Sequence, residues 1–212
     1  MQIIVPKRYV GLTPFDIVVF LAGPVLGGES WQQETIEYFV TTSVRRWPVS
    51  YCERILPRIK FVSPCRWGDN HPLARYFVSQ YSVIDAKGVI EAGQTYMEIH
   101  YLLHILRRQV SGKPNGLAFF GLFPESKQNP RTDGVPYATD TRGELGRYTT
   151  LAKYEGTLDS LFIGVHPDFV LGATRSNLQY FSGDGWLKSN WREIYNSQNL
   201  ADWIADSIQK YF

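Results

Sequence analysis

The sequence predicts an α/β fold, a doubly wound and mainly parallel sheet of about five strands with flanking helices. Three observations carry this. Continuous apolar, β-branched runs at 15–22 and 116–123 read as strands buried on both faces, as parallel strands are. Segments of helical period lie between the strand runs rather than at one end of the chain, which requires right-handed crossovers. The chain has 212 residues, 44% hydrophobic and 20% charged, which suits a single domain over 1–212 and excludes disordered and fibrous classes. Together they describe a flavodoxin- or Rossmann-like architecture.

The elements follow in order. Phe15 to Ala22 (FDIVVFLA) is the first strand and stops at Gly23-Pro24, with Gly27-Gly28 completing a turn. Trp31, Ile36, Phe39, Val40 and Val44 then recur at three- to four-residue spacing, a helix. Ile59 to Val62 is a short strand closed by Ser63-Pro64, and 67–93 is irregular. From about Thr95 to Arg108 the chain is helical and nearly apolar all round, which predicts a central helix. Gly116 to Phe123 (GLAFFGLF) is a buried strand. The polar stretch from Pro124 to Asp140 is too long for an ordinary connection and points to function. Thr141 to Tyr154 is a helix, Ser160 to Val165 a strand, and Leu200, Trp203, Ile204, Ile208 and Tyr211 form the stripe of a last helix. Tyr211-Phe212 at its end either folds back on the domain or reaches a neighbouring copy.

Composition removes several function classes. With 22 basic and 20 acidic residues the net charge is only +2, so a polymeric nucleic acid is not the expected partner. No apolar run approaches the roughly 18 residues of a membrane span and the N-terminus lacks a signal-peptide pattern, so no membrane association and a cytoplasmic location are expected. Cys52 and Cys65 lack metal spacing and are expected to be reduced thiols. His100 and His104 stand four residues apart on the apolar helix, without the H-E-x-x-H order or a third ligand, so neither metal nor cofactor is expected. The 15% of aromatic residues exceed what a plain core needs and suit a pocket for a flat ligand.

In such sheets ligands bind beyond the carboxyl ends of the strands. Four segments leave strands there: 23–28, 63–66, the 124–140 loop, and His166-Pro167-Asp168. The glycine turn is either a tight turn needing positive φ or a place of close backbone approach to a phosphate or sugar. Thr141 and Glu144 have capping-box spacing. Alternatively, Glu144 is a carboxylate in the first helical turn, kept ionised by the helix N-terminus, with Gly143 and Gly146 giving a substrate access. Glu98 is a lone acid on an apolar helix, which places it either in a salt bridge, for instance to Arg66, or at a cleft.

These residues together resemble the nucleoside 2-deoxyribosyltransferase-like family, with its nucleotide N-glycosidase relatives. The resemblance rests on Phe20-Leu21-Ala22-Gly23-Pro24 followed by Trp31-Gln32, on Ser63-Pro64-Cys65-Arg66, and on Glu98 in a helix before the strand GLAFFGLF. It continues through Glu144-Leu145-Gly146 and Phe162-Ile163-Gly164-Val165-His166-Pro167, in order along nearly the whole chain. The segments 67–93 and 124–140 are longer than in a compact member.

The resemblance implies cleavage or transfer at the N-glycosidic bond of a nucleoside or nucleotide, through a covalent glycosyl-enzyme on Glu144. Glu98 would orient Glu144 or protonate the departing base, and Asp140 is a second candidate for that proton. Gly23, Pro24 and Gly146 would permit close approach, Arg66 would hold a phosphate or carboxylate, and Trp31, Tyr96 or Trp67 would stack on the base. Trp31 is equally readable as core. A homo-oligomer with sites shared between subunits is also implied. Two other functions fit the same residues: a nucleotide-binding sensor without catalysis, and an N-glycosidase acting on NAD.

Overall fold

The structure is a computed structural model and describes residues 1–6, 8, 10–28, 30–65, 67–78, 99–107, 112, 114–172 and 190–212. Its sheet has six parallel strands: β1 (Gln2–Ile4), β2 (Ile17–Ala22), β3 (Ile59–Val62), β4 (Gly116–Leu122), β5 (Leu161–Val165) and β6 (Trp191–Glu193). Their order is β1-β3-β2-β4-β5-β6. With β1 set aside, this is the flavodoxin-like 2-1-3-4-5 order, and β1 extends it by one strand. Every residue of β2, β4 and β5 is buried, as their unbroken apolar runs require.

Two strands went unread in the sequence. β1 borders β3, and its outer side is met by backbone: the Val78 N–H donates to Ile3 O at 3.1 Å. β6 is short and has two exposed polar residues, so pairing with β5 rather than its own pattern makes it a strand.

The helices are α1 (Trp31–Thr41), α2 (Val49–Ile55), α3 (residues 99–105), α4 (Thr139–Tyr154) and α5 (Ser197–Tyr211). One face of the sheet packs Val19, Leu21, Phe61, Phe119 and Phe162 against α1 and α5. There the Phe119 and Phe162 rings stack at 4.6 Å, and Trp203 of α5 sets an edge against each. α5 starts at Asn196, whose side chain accepts the Asn199 N–H at 2.9 Å, an N-cap. It ends with Tyr211 against Phe162, so the C-terminus folds back on its own core.

The other face packs Val18, Phe20, Ala118, Phe120 and Ile163 against α3 and α4. The expectation of a central helix over 95–108 needs correction in the part described. Tyr101, Leu102 and Ile105 face the sheet, whereas Leu103 is 42% exposed, so α3 is a flanking helix. The exposed Leu103 hid the amphipathic period.

Candidate functional site

The chain moves from β2 outward to β3, then returns past β2 to β4, so the winding reverses between β2 and β4. In doubly wound sheets the crevice at the carboxyl ends of the strands beside such a reversal is the usual ligand position.

Three glycines cross the sheet just below it. Ala22 pairs with Phe120, and Gly121 with Gly164, so Gly23, Gly121 and Gly164 fall in one row. A Cβ on Gly23 would stand 2.6 Å from Trp31 Cζ2, and one on Gly121 would stand 2.8 Å from Trp31 Cζ3. Gly164 leaves the same space to Ile194 Cδ1, at 2.7 Å. Trp31 is therefore seated on a glycine shelf, 1% exposed, with its ring 5.3 Å from Phe123. Its Nε1–H donates to Pro24 O at 3.1 Å. Of the two readings of Trp31, the core one describes its place. Gly23 and Pro24 serve that indole: the space a side chain on Gly23 would take is filled by protein, not left for a ligand. Positive φ also occurs at Gly23 itself (φ 154) and again at Gly27 (φ 73), so the turn holds both glycines for their backbone conformation.

The 124–138 segment contains no helix or strand, as its composition predicted, yet it is tied down at both ends. Ser126 N–H donates to Gly27 O at 2.7 Å, latching it to the glycine turn. The Arg131 backbone N–H donates to Glu125 Oε1 at 2.7 Å, and its Nε to Asp133 Oδ1 at 2.6 Å. Tyr137 Oη donates towards Phe123 O at 3.0 Å and Pro124 O at 3.2 Å, closing the loop on the end of β4. Ala138 ends the loop at φ 59, ψ 21, a left-handed conformation that costs a non-glycine residue about 1–2 kcal/mol.

α4 begins at Thr139, two residues before the expected start, with no side-chain cap. The capping-box reading of Thr141 and Glu144 is thereby overturned: Thr141 is the third helical residue and is buried, and Glu144 is the sixth. Glu144 thus sits in the second turn, not the first, and the helix-terminus effect, confined to the first turn, falls on Asp140. The earlier start has a second consequence. Asp140 and Glu144 are four residues apart within one helix, hence on one flank with Cβ atoms about 5–6 Å apart. Asp140 is exposed at its side chain, with Arg131 Nη1 3.8 Å away. Glu144 is half-buried and engaged. Gly146 lies two residues beyond Glu144, about 200° around the helix, so it opens the opposite flank. A Cβ on either Gly143 or Gly146 would meet no atom within 4 Å, so internal packing requires neither glycine.

The turn after β5 completes the rim. His166 N–H donates to Leu122 O at 2.9 Å, and its ring lies 6.3 Å from Phe123. Arg142 Nη2 donates to Val170 O at 2.7 Å, with the guanidinium 5.5 Å over the Phe169 ring, which fastens this turn to α4. At the other side, Trp67 is stacked on His71 at 4.4 Å, so one face of this candidate stacking residue is occupied. His71 Nδ1 accepts the Leu73 N–H, leaving Nε2–H to donate to Gln33 Oε1 at 2.9 Å, and burial lowers the pKa of the ring. Burial pushes the Cys65 thiol up to about 11, which leaves it a thiol and a poor nucleophile. Cys52 and Cys65 are both free, as expected.

Arg66, Tyr96 and Glu98 lie outside the described residues. Of the other expected site residues, Asp140 and Glu144 come together on α4, Gly23 and Pro24 border the crevice from beneath, and Trp31 is core. No pattern in the sequence singles out Arg131 or Tyr137. Only the position of His166 directly after a strand run was a signal. Among the described residues no group of three or more His, Cys, Asp or Glu could hold a metal ion, and no helix is long and apolar enough to cross a membrane.

No family model, curated protein or solved structure matches the chain.

Proposed function

We propose that this protein cleaves or transfers at the N-glycosidic bond of a deoxynucleoside, nucleoside or nucleotide, with Glu144 as the nucleophile. The observation that carries the reading is the pair of carboxylates one helical turn apart, Asp140 and Glu144, on the helix that follows the crevice-forming strand β4. Paired carboxylates a few ångströms apart are what retaining glycosyl chemistry uses, one as nucleophile and one as acid.

The steps balance without a cofactor. A Glu144 carboxylate oxygen attacks C1′ of the sugar. The C1′–N bond breaks, and its electron pair leaves with the base, which takes a proton from a carboxylic acid. Glu98 is the first candidate for that acid, and Asp140, on the same flank of α4 as Glu144, is the second. The glycosyl ester is then opened by water, giving hydrolysis, or by a second base, giving transfer. A carboxylate beside C1′ stabilises the oxocarbenium-like transition state before it captures the sugar. Leu26, Val135 and Val170, exposed on loops that follow the carboxyl ends of β2, β4 and β5, support a second copy covering this rim.

The test is chromatography of products from a panel of deoxynucleosides, ribonucleosides, their 5′-monophosphates and NAD, with and without added adenine. Free base, or exchanged base, is the expected product. Glu144→Gln abolishes it while the melting temperature stays within a few degrees. No base from any substrate, or full turnover by Glu144→Gln, overturns the reading.

A further inference from the structure

His166 leaves β5 in the strand position that borders β4, and its backbone N–H bonds Leu122 O of that strand. Its Nδ1 accepts the Asp168 N–H at 3.1 Å, two residues on, the geometry an asparagine makes in an Asx-turn. An Nδ1 that accepts puts the ring proton of neutral imidazole on Nε2, at the opposite edge. The side chain is 19% exposed; Nδ1 also stands 3.9 Å from Asp168 Oδ2, beyond hydrogen-bond reach, and Nε2 has no partner among the described residues. The neighbouring cations already bond the protein, although Arg142 Nε is buried without a partner among the described residues. Arg131 bonds Asp133 and approaches Asp140, and Arg142 bonds Val170 O. The ring also has a fixed seat, against Phe123 at the end of β4 and on a turn that Arg142 holds to α4 through Val170 O and that packs Phe169 against Tyr137 of the loop before it. β2, β4 and β5 are neighbours, so His166 stands about 5–10 Å across the sheet from the crevice, within the span of one nucleoside.

We infer that His166 is a positioning residue that fixes the sugar end of the ligand by donating its Nε2–H to an oxygen there. This rests on the reading above for the identity of the ligand. The shared chemistry is an oxygen acceptor on the ribosyl group, supplied by either the 5′-hydroxyl or a 5′-phosphate. The backbone bond to Nδ1 fixes which edge of the ring carries the donor, and the ligand itself is bound by the edge the turn leaves over.

Two substitutions separate the two edges of the ring. His166→Asn keeps an acceptor for the Asp168 N–H and removes the far donor, and His166→Gln places an amide N–H near the position of Nε2. Calorimetric Kd and steady-state KM and kcat are measured for deoxyadenosine and for its 5′-monophosphate with wild type and both variants. His166→Asn is expected to raise Kd and KM on the order of tenfold with kcat within about twofold and an unchanged Tm, and His166→Gln to recover most of the loss. A larger loss for the monophosphate identifies the phosphate as the acceptor, and an equal loss identifies the hydroxyl. Unchanged Kd in His166→Asn, or a matching loss in both variants, overturns the inference while leaving base release intact. Binding that depends on His166 without any base release overturns the enzymatic reading alone. Absence of binding by the wild type overturns both.

Discussion

Seating Trp31 on Gly121 and Gly23 makes a sharp prediction about Gly121. Alanine in a strand ordinarily improves on glycine by about 0.5–1 kcal/mol, because glycine loses more chain entropy on folding. Here the added methyl would stand 2.8, 2.9 and 3.1 Å from Cζ3, Cη2 and Cε3 of an indole that is 1% exposed. Trp31 has no room to retreat, since Nε1 is bonded to Pro24 O and its ring rests against Phe123. Overpacking of this kind costs about 1–3 kcal/mol, so Gly121→Ala should destabilise despite its better propensity. Trp31→Leu should itself cost about 2–5 kcal/mol through the lost bulk and the lost hydrogen bond. In that background the alanine methyl fills space instead of colliding. The double variant should then be more stable than the sum of the singles predicts, by about 1–2 kcal/mol. Equilibrium urea unfolding followed by far-ultraviolet circular dichroism, with all four members of the cycle, measures this. A neutral or stabilising Gly121→Ala, or strictly additive singles, would refute the shelf.

Other consequences are open to simpler measurement. Gly143→Ala and Gly146→Ala each lie in a helix interior with no atom within 4 Å of the new methyl, so each should add about 1 kcal/mol. In a chain of this length that raises Tm by about 2–4 °C in a thermal melt, and a lowered Tm would contradict the open surroundings of these glycines. Burial lowers the pKa of His71, His100 and His104 below the ordinary 6.5, so the folded chain prefers them neutral. Below pH 6.5 the unfolded chain binds more protons than the folded one, and the stability these rings contribute above that pH is lost as the pH falls. Urea midpoints should therefore drop between pH 7.5 and 5.5, and drop less in His104→Gln; an identical pH slope in that variant would contradict the assignment.

What the sequence made legible follows the range of the forces involved. β2, β4 and β5 were readable because burial on both faces leaves an unbroken apolar run, and β3 was found at its observed bounds because Ser63-Pro64 stops it. β6 was not, since its strand geometry depends on β5. The start of α4 was misplaced for a related reason. Thr141 and Glu144 carry a local capping pattern, but the helix is entered through a left-handed Ala138 held by the loop that Tyr137 fastens to β4. Trp31 was ambiguous because its environment is set by Gly121, ninety residues away in sequence and one strand away in space. The Glu144 and Asp140 pair was half legible: both acids were singled out, but their common flank depends on where the helix begins.

The proposed mechanism requires Glu144 to form a bond to the sugar. Incubation with a 2′-fluoro-2′-deoxynucleoside, whose electronegative substituent slows the opening of a glycosyl ester, followed by intact-mass and peptide mass spectrometry, tests it most directly. One added glycosyl mass per chain, released base in equal amount, the adduct on the peptide carrying Glu144, and none in Glu144→Gln are expected. Base release without an adduct on Glu144, or an adduct that persists in Glu144→Gln, would contradict the mechanism.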